Sequence, residues 1–303
     1  MPTSESKRRW YRPTPDRFVI SLLLMVGLLW LSERFQWFSL NHHKGWTVLI
    51  AVAAVVMAAV VMLLWWIAGL IVHWRFQFGI RSLLMLVLVC SIAAGWLAVE
   101  KDRARRQADL VDGGLGWFFY DWEFDADDKA IMYPKPPGEC WLSKMLGDNF
   151  FSAIVWANYY NSEITDAGLE RLNGLTDLRT LLLRQTKVTD AGLKNIKGLT
   201  NLRFLELTGT WTTDAGLECL KGLTNLRHLE LPSTKITDAG LESLTGLTKL
   251  QSLNLSLTPI TDAGLKHLDG LKQLQQLRLL DTGVTDAGVQ KLQQSLPNCQ
   301  IEY

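Results

Sequence analysis

The chain has 303 residues, 31 basic and 30 acidic side chains, a formal charge of +1 and 48% apolar residues. Those totals conceal three regions: residues 1–106 hold 13 basic and 5 acidic side chains, residues 107–163 hold 3 and 10, and residues 164–303 hold 15 of each. Because the first third also contains an uncharged run of 27 residues, 46–72, a single soluble domain is excluded. Cys90, Cys140, Cys219 and Cys299 form no CxxC pair, which excludes a disulfide framework and a zinc finger; the redox state of Cys140, Cys219 and Cys299 stays open.

Residues 1–17 are a basic tail carrying Lys7, Arg8, Arg9, Arg12 and Arg17. Three transmembrane helices are expected after it, over 18–38, 46–72 and 82–99. The middle one, at about 1.5 Å per residue, exceeds the roughly 30 Å hydrocarbon thickness and spans with some tilt. The segment 83–99 is just long enough, and 18–31 reaches across only if its flanking arginines snorkel to the headgroups. The first segment is followed by Ser32-Glu-Arg-Phe, bulky and charged where signal cleavage needs small residues, so an uncleaved anchor is expected. Trp30, Trp37, Trp46, Trp65, Trp66, Trp74 and Trp96 fall at the expected interfaces. With three spans the basic flanks divide almost evenly; we expect the N-terminus in the cytoplasm and everything after residue 99 on the non-cytoplasmic side, whereas two spans would put it inside.

Residues 100–139 read as a basic juxtamembrane segment followed by an acidic connector. In it Phe118, Tyr120, Trp122 and Phe124 alternate with Phe119, Asp121, Glu123 and Asp125, the pattern of a strand with one apolar face. Such a strand, with a helix over 141–146, would cap the apolar end of a repeat stack. The carboxylates do not make a calcium loop, because Ala126 and Met132 stand where an EF-hand needs Gly and Glu.

From Ile164 onward the sequence repeats every 24 residues, as in VTDAGLKNIKGLTNLRFLELTGTW and TTDAGLECLKGLTNLRHLELPSTK. Each unit predicts a short helix capped by its Asp (Asp166, Asp190, Asp214, Asp238, Asp262, Asp286) and ended by Gly, then a short strand in LxxLxL. One unit cannot bury its leucines alone, so neighbours must stack as an α/β solenoid, a curved parallel sheet with outer helices. Residues 140–163 fit the frame as a degenerate first repeat through Phe150, Phe151, Ile154, Ala157 and Tyr159, and 284–303 read as the C-terminal cap. Thr186, Thr210, Thr234, Thr258 and Thr282 recur after the strand, where a hydroxyl is expected to tie adjacent turns together. Arg179, Arg203 and Arg227 form a basic column expected to be a solvated edge.

These repeats resemble the leucine-rich repeat family, in the TDAGL subtype found in many bacterial repeat proteins and, with a cysteine in place of the recurring Thr, in F-box-type receptors. The combination RRWYRPTPDRF, SERFQWF, HKGWTVLIAVAA and RFQFGIRSLL ahead of the repeats also resembles a bacterial class of membrane-anchored leucine-rich repeat proteins without an assigned activity. The resemblance implies an integral protein of the bacterial inner membrane.

No phosphate loop, nucleophile elbow, HExxH or clustered histidine set is present, so no catalytic residue, metal site or cofactor is nominated and the chain is not expected to be an enzyme. A neutral repeat region beside an acidic connector argues against nucleic acid. The outward strand positions vary while the framework does not. Trp156, Asn158 and Tyr160; Leu182 and Arg184; Phe204 and Glu206; His228 and Glu230; Asn254; and Arg278 are therefore the expected contact residues for a protein or peptide partner on the concave face. Membrane lipid is the other expected partner, and the sequence leaves the oligomeric state unset. The competing reading is a structural envelope scaffold or spacer that assembles through its transmembrane helices.

Overall fold

Because a 24-residue unit with a single LxL strand offers its neighbours one row of backbone donors and acceptors, the strands pair unit by unit in strict sequence order. The computed structural model describes residues 50, 52–53, 80–112, 116–120, 123, 152–160 and 162–303. They divide between two units, one holding 50, 52–53, 80–104 and 152, the other 105–112, 116–120, 123, 153–160 and 162–303.

In the second unit eight strands form one sheet in the order of the chain: β1 Trp117–Tyr120, β2 Ile154–Asn158, β3 Thr180–Leu182, β4 Phe204–Glu206, β5 His228–Glu230, β6 Ser252–Asn254, β7 Gln276–Arg278 and β8 Gln300–Glu302. Strands β2 to β8 are parallel and in register, so Ala157, Leu181, Leu205, Leu229, Leu253, Leu277 and Ile301 form one inward column. All but Ile301 are buried, and with Leu183, Leu207, Leu231 and Leu255 they make a continuous leucine core. Strand β1 runs antiparallel along the N-terminal edge of β2, with a bulge between Phe119 and Tyr120. Residues 121, 122 and 124 of the strand expected over 118–124 lie outside the described residues. Phe118 and Tyr120 face the core, and Phe118 meets Tyr159 edge-on at 5.6 Å.

The TDAGL segment folds differently from the expected Asp cap. Thr occupies the N-cap and Asp the first helical position: Thr189, Thr213 and Thr261 accept a hydrogen bond from the N–H two residues on. Asp reaches forward to the next unit instead. Asp166, Asp190, Asp214, Asp238 and Asp262 each accept the backbone N–H and the hydroxyl of the Thr 23 residues later, from Thr189 to Thr285. Thr165, with no such bond from a preceding Asp, makes no side-chain cap. The helical part is one α-turn followed by a 3-10 turn in most units. Gly174 alone among the helix-ending glycines has a left-handed backbone, at φ 88°. At Gly198, Gly222, Gly246 and Gly270 a Cβ would meet nothing, so those helices end by their short 3-10 geometry.

The recurring Thr after the strand ties its own turn rather than adjacent turns. Thr186, Thr210, Thr234 and Thr282 donate to the carbonyl of the Leu three residues back at 2.7 Å, and Thr258 does the same. The residue just before each Thr closes this turn with positive φ: Gln185, Gly209, Ser233, Leu257 and Asp281, at 54–67°. Adjacent turns are joined by the backbone, as in Leu207 N–H to Glu230 O at 2.8 Å and Gly209 N–H to Pro232 O at 2.9 Å.

A 33-residue helix, Ile80–Asp112, precedes β1. It does not stop at residue 99, where the expected span ends; all but Asp102 of Glu100-Lys-Asp-Arg-Ala-Arg-Arg-Gln are good helix formers, and Glu100 pairs with Arg103 one turn on at 2.8 Å. In the repeat unit Gln107 and Leu110 are buried, and Leu110 belongs to the leucine core. Within the other unit the helix exposes Val87, Leu88, Ile92 and Val99. No helix among the described residues is long and apolar enough to cross a membrane. The expected spans 18–38 and 46–72 lie outside the described residues apart from 50 and 52–53, and Phe150, Phe151 and the expected helix 141–146 lie outside them altogether.

Candidate functional site

In a parallel sheet of three-residue strands, residues on either side of the inward leucine point to the opposite face, so the open face is made of two registered rows. One row is Trp156, Thr180, Phe204, His228, Ser252 and Gln276; the other is Asn158, Leu182, Glu206, Glu230, Asn254 and Arg278. The first row is aromatic on its N-terminal side. Phe204 stacks on His228 with ring centroids 5.6 Å apart, and Trp156 meets Phe119 of β1 edge-on at 4.7 Å. Burial, reinforced by Arg227, holds the His228 imidazole below its ordinary pKa. Burial and then Arg227 likewise lower the Arg203 guanidinium; within the arginine column Arg179 and Arg203 are half-buried, whereas Arg227 is exposed.

The second row opens into a groove of about 500 Å³ lined by Arg184, Glu206, Glu230, Asn254 and Arg278 together with Gln185, Thr208, Gly209, Pro232, Ser233 and Leu257. Its charges are unevenly matched. Arg278 Nε donates to Glu302 at 3.0 Å, while Arg184 stands over the Tyr160 ring and only 4.0 Å from Glu206. Thr208 donates to Glu206, and Asn254 Nδ2 donates to Glu230 at 2.7 Å. Burial raises the Glu230 carboxyl above its usual range against the opposing pull of Asn254 and Arg278, and the neighbouring Glu206 adds to the rise.

Of the residues expected at the contact surface, Arg184, Glu206, Glu230, Asn254 and Arg278 therefore meet in one groove. Trp156, Phe204 and His228 lie in the neighbouring row, and Asn158, Leu182 and Tyr160 sit toward β1 outside it. Asn158 is turned to its own backbone, accepting from Tyr160 N–H at 2.8 Å. Gln185, Gly209, Pro232, Ser233 and Leu257 were not expected. The signal of all but Pro232 is the column just before the recurring Thr, where only Gly209 announces a left-handed turn by its residue type. Among the described residues no group of three or more His, Cys, Asp or Glu is placed to hold a metal ion.

The register and core of the sheet are those of a solenoid built from LxxLxL units, and one segment can be assigned on sequence as well. Residues 216–282 match the leucine rich repeat family model. The leucine-rich repeats so matched lie inside the longer run of 24-residue units that forms β3 to β8. Similar solved structures include an internalin (inlF) from Listeria monocytogenes, 27% identical over 47% of this chain and 39% of that one, with a TM-score of 0.41. An internalin C2 from the same organism is 22% identical over 49% of this chain and 80% of that one, with a TM-score of 0.34. A leucine-rich repeat protein of Leptospira interrogans is 22% identical over 45% and 39%, with a TM-score of 0.35. This chain thus spans about two fifths of the inlF and Leptospira chains. No curated protein matches it.

Proposed function

We propose that the chain is a membrane-tethered leucine-rich repeat module that recognises a protein or peptide through the open face of its sheet, without catalysis. The observation that carries this reading is the groove itself: polar and charged side chains from four successive strands converge on it, beside a half-buried Phe204–His228 stack, while the leucine framework beneath is uniform. Aromatic groups flanked by satisfied polar ones are the composition of a protein-binding hot spot.

Tethering is supported by the apolar side chains that Ile80–Asp112 exposes, Val87, Leu88, Ile92 and Val99, and by the uncharged run 46–72. We place the protein in a bacterial inner membrane, with the N-terminus cytoplasmic and the repeats on the non-cytoplasmic side. Cys219 and Cys299 are poor reporters of sidedness, since both are buried and burial pushes the Cys299 thiol up to about 11. A Gln273→Cys chain, cysteine now at an exposed site, should react with a membrane-impermeant maleimide in intact cells. Reaction only after lysis would place the repeats inside.

Proximity labelling in the native cell tests recognition, comparing the natural chain with one in which Phe204, Glu206, His228 and Glu230 are all changed to Ala. A partner set lost on substitution supports the module. An unchanged set favours a scaffold that assembles through its membrane helices.

A further inference from the structure

Two features of the groove point to a ligand. The first is a charge. Arg278 is engaged by Glu302 and Arg184 faces Glu206, whereas Glu230 hydrogen-bonds only the neutral Asn254 amide, feels Arg278 without contact, and forms no ion pair among the described residues. Glu206 and Glu230 are register partners on adjacent strands, so two carboxylates share a wall where strands are about 4.8 Å apart, a placement that favours a cation between them.

The second is an apolar surface. Leu257 lines the groove 55% exposed; its φ of 58° is the one that every unit's turn takes at this column, and it leaves the leucine side chain on the open surface. Pro232 lines the same groove.

A flexible apolar stem ending in a cation is the one side-chain chemistry that meets both a carboxylate pair and an exposed leucine. We infer that the groove takes a lysine or arginine side chain of a peptide segment, its charged end between Glu206 and Glu230 and its methylenes against Leu257 and Pro232. This inference rests on the open face being the recognition surface, and it goes further by naming what the surface reads.

A display library of random nonapeptides, panned against the full-length chain in detergent and counter-selected on the E206K/E230K chain, tests it. Enriched peptides should share a Lys or Arg and bind at least tenfold more weakly when that residue is replaced by norleucine, a change that leaves the protein untouched. Glu230→Gln should weaken them similarly, and raised salt should do so with the natural chain. Enriched peptides that need no basic residue but are lost with Phe204→Ala would overturn the cationic ligand while sparing the recognition face. Binding that a chelator abolishes would assign the carboxylate pair to a divalent cation instead and overturn the inference. Enrichment of nothing above background would overturn both readings.

Discussion

Asp190 holds Thr213 of the following repeat with both carboxylate oxygens, Oδ1 accepting the backbone N–H at 2.8 Å and Oδ2 the hydroxyl at 2.6 Å. The same Thr213 oxygen then accepts from Ala215 N–H, so one acid links the helix start of its own unit to that of the next. Gly216 completes the device, because a Cβ there would overlap Asp190 Oδ1. The TDAGL segment is thus a joint between units, and its Asp and Gly are each required by the neighbouring copy.

Removing either half of this joint should cost stability, and the two losses should not add. Gly216→Ala forces a collision and should cost about 1–3 kcal/mol. Asp190→Ala leaves two donors without their acceptor and should cost about 1–3 kcal/mol. In the double variant the collision with the carboxylate disappears while the one with Thr212 Cγ2, at 2.8 Å, remains, so the total should fall short of the sum by more than about 0.5 kcal/mol. Denaturant titration of the three chains checks this; strict additivity would mean that Gly216 is there for another reason.

Leu257 offers a substitution of opposite sign. Glycine adopts positive φ without penalty, so Leu257→Gly should stabilise the repeats by about 1 kcal/mol. The same change should weaken any ligand that packs on the groove. A stability gain with unaltered binding in the peptide selection would remove Leu257 from the contact surface.

The pH dependence of Glu230 follows from its raised pKa. A carboxyl held above its unfolded value binds its proton more tightly when folded, so its penalty on stability is absent in acid and grows as pH rises through the folded pKa. Glu230→Gln should therefore melt higher than the natural chain at neutral pH, and the gap should close as pH falls through the carboxylate range. A gap that widens in acid would mean that the ionised form is favoured by the fold.

Neighbouring strand residues should separate folding from recognition. Leu205 is fully buried, and Leu205→Ala should cost about 2–5 kcal/mol. Phe204 is half-buried on the open face against His228, and Phe204→Ala should shift stability by less than about 1.5 kcal/mol. Comparable losses from the two would show that the aromatic row is part of the core.

The inward leucines were legible because burial on one face imposes a period that survives every substitution between units, and the open-face rows followed from the same alternation. The role of Asp166 and its equivalents was not, since a short acid beside a helix start has a local capping explanation and its true partner lies 23 residues away. The groove was half legible. Glu206, Glu230 and Arg278 are strand positions, but Gln185, Ser233 and Leu257 enter through a left-handed turn that glycine alone would have signalled. The end of the long helix was misplaced because a change from apolar to charged residues at Glu100 marks a change of surroundings, while helix propensity continues to Asp112.

The most direct test places a photo-crosslinking amino acid at Phe204, on the open face, and in a second chain at Glu218, exposed on the helical side of the adjoining unit. In intact cells the account predicts a discrete crosslinked partner from position 204 and none from position 218. Equal products from both positions, or product from position 218 alone, would contradict a recognition surface on the sheet.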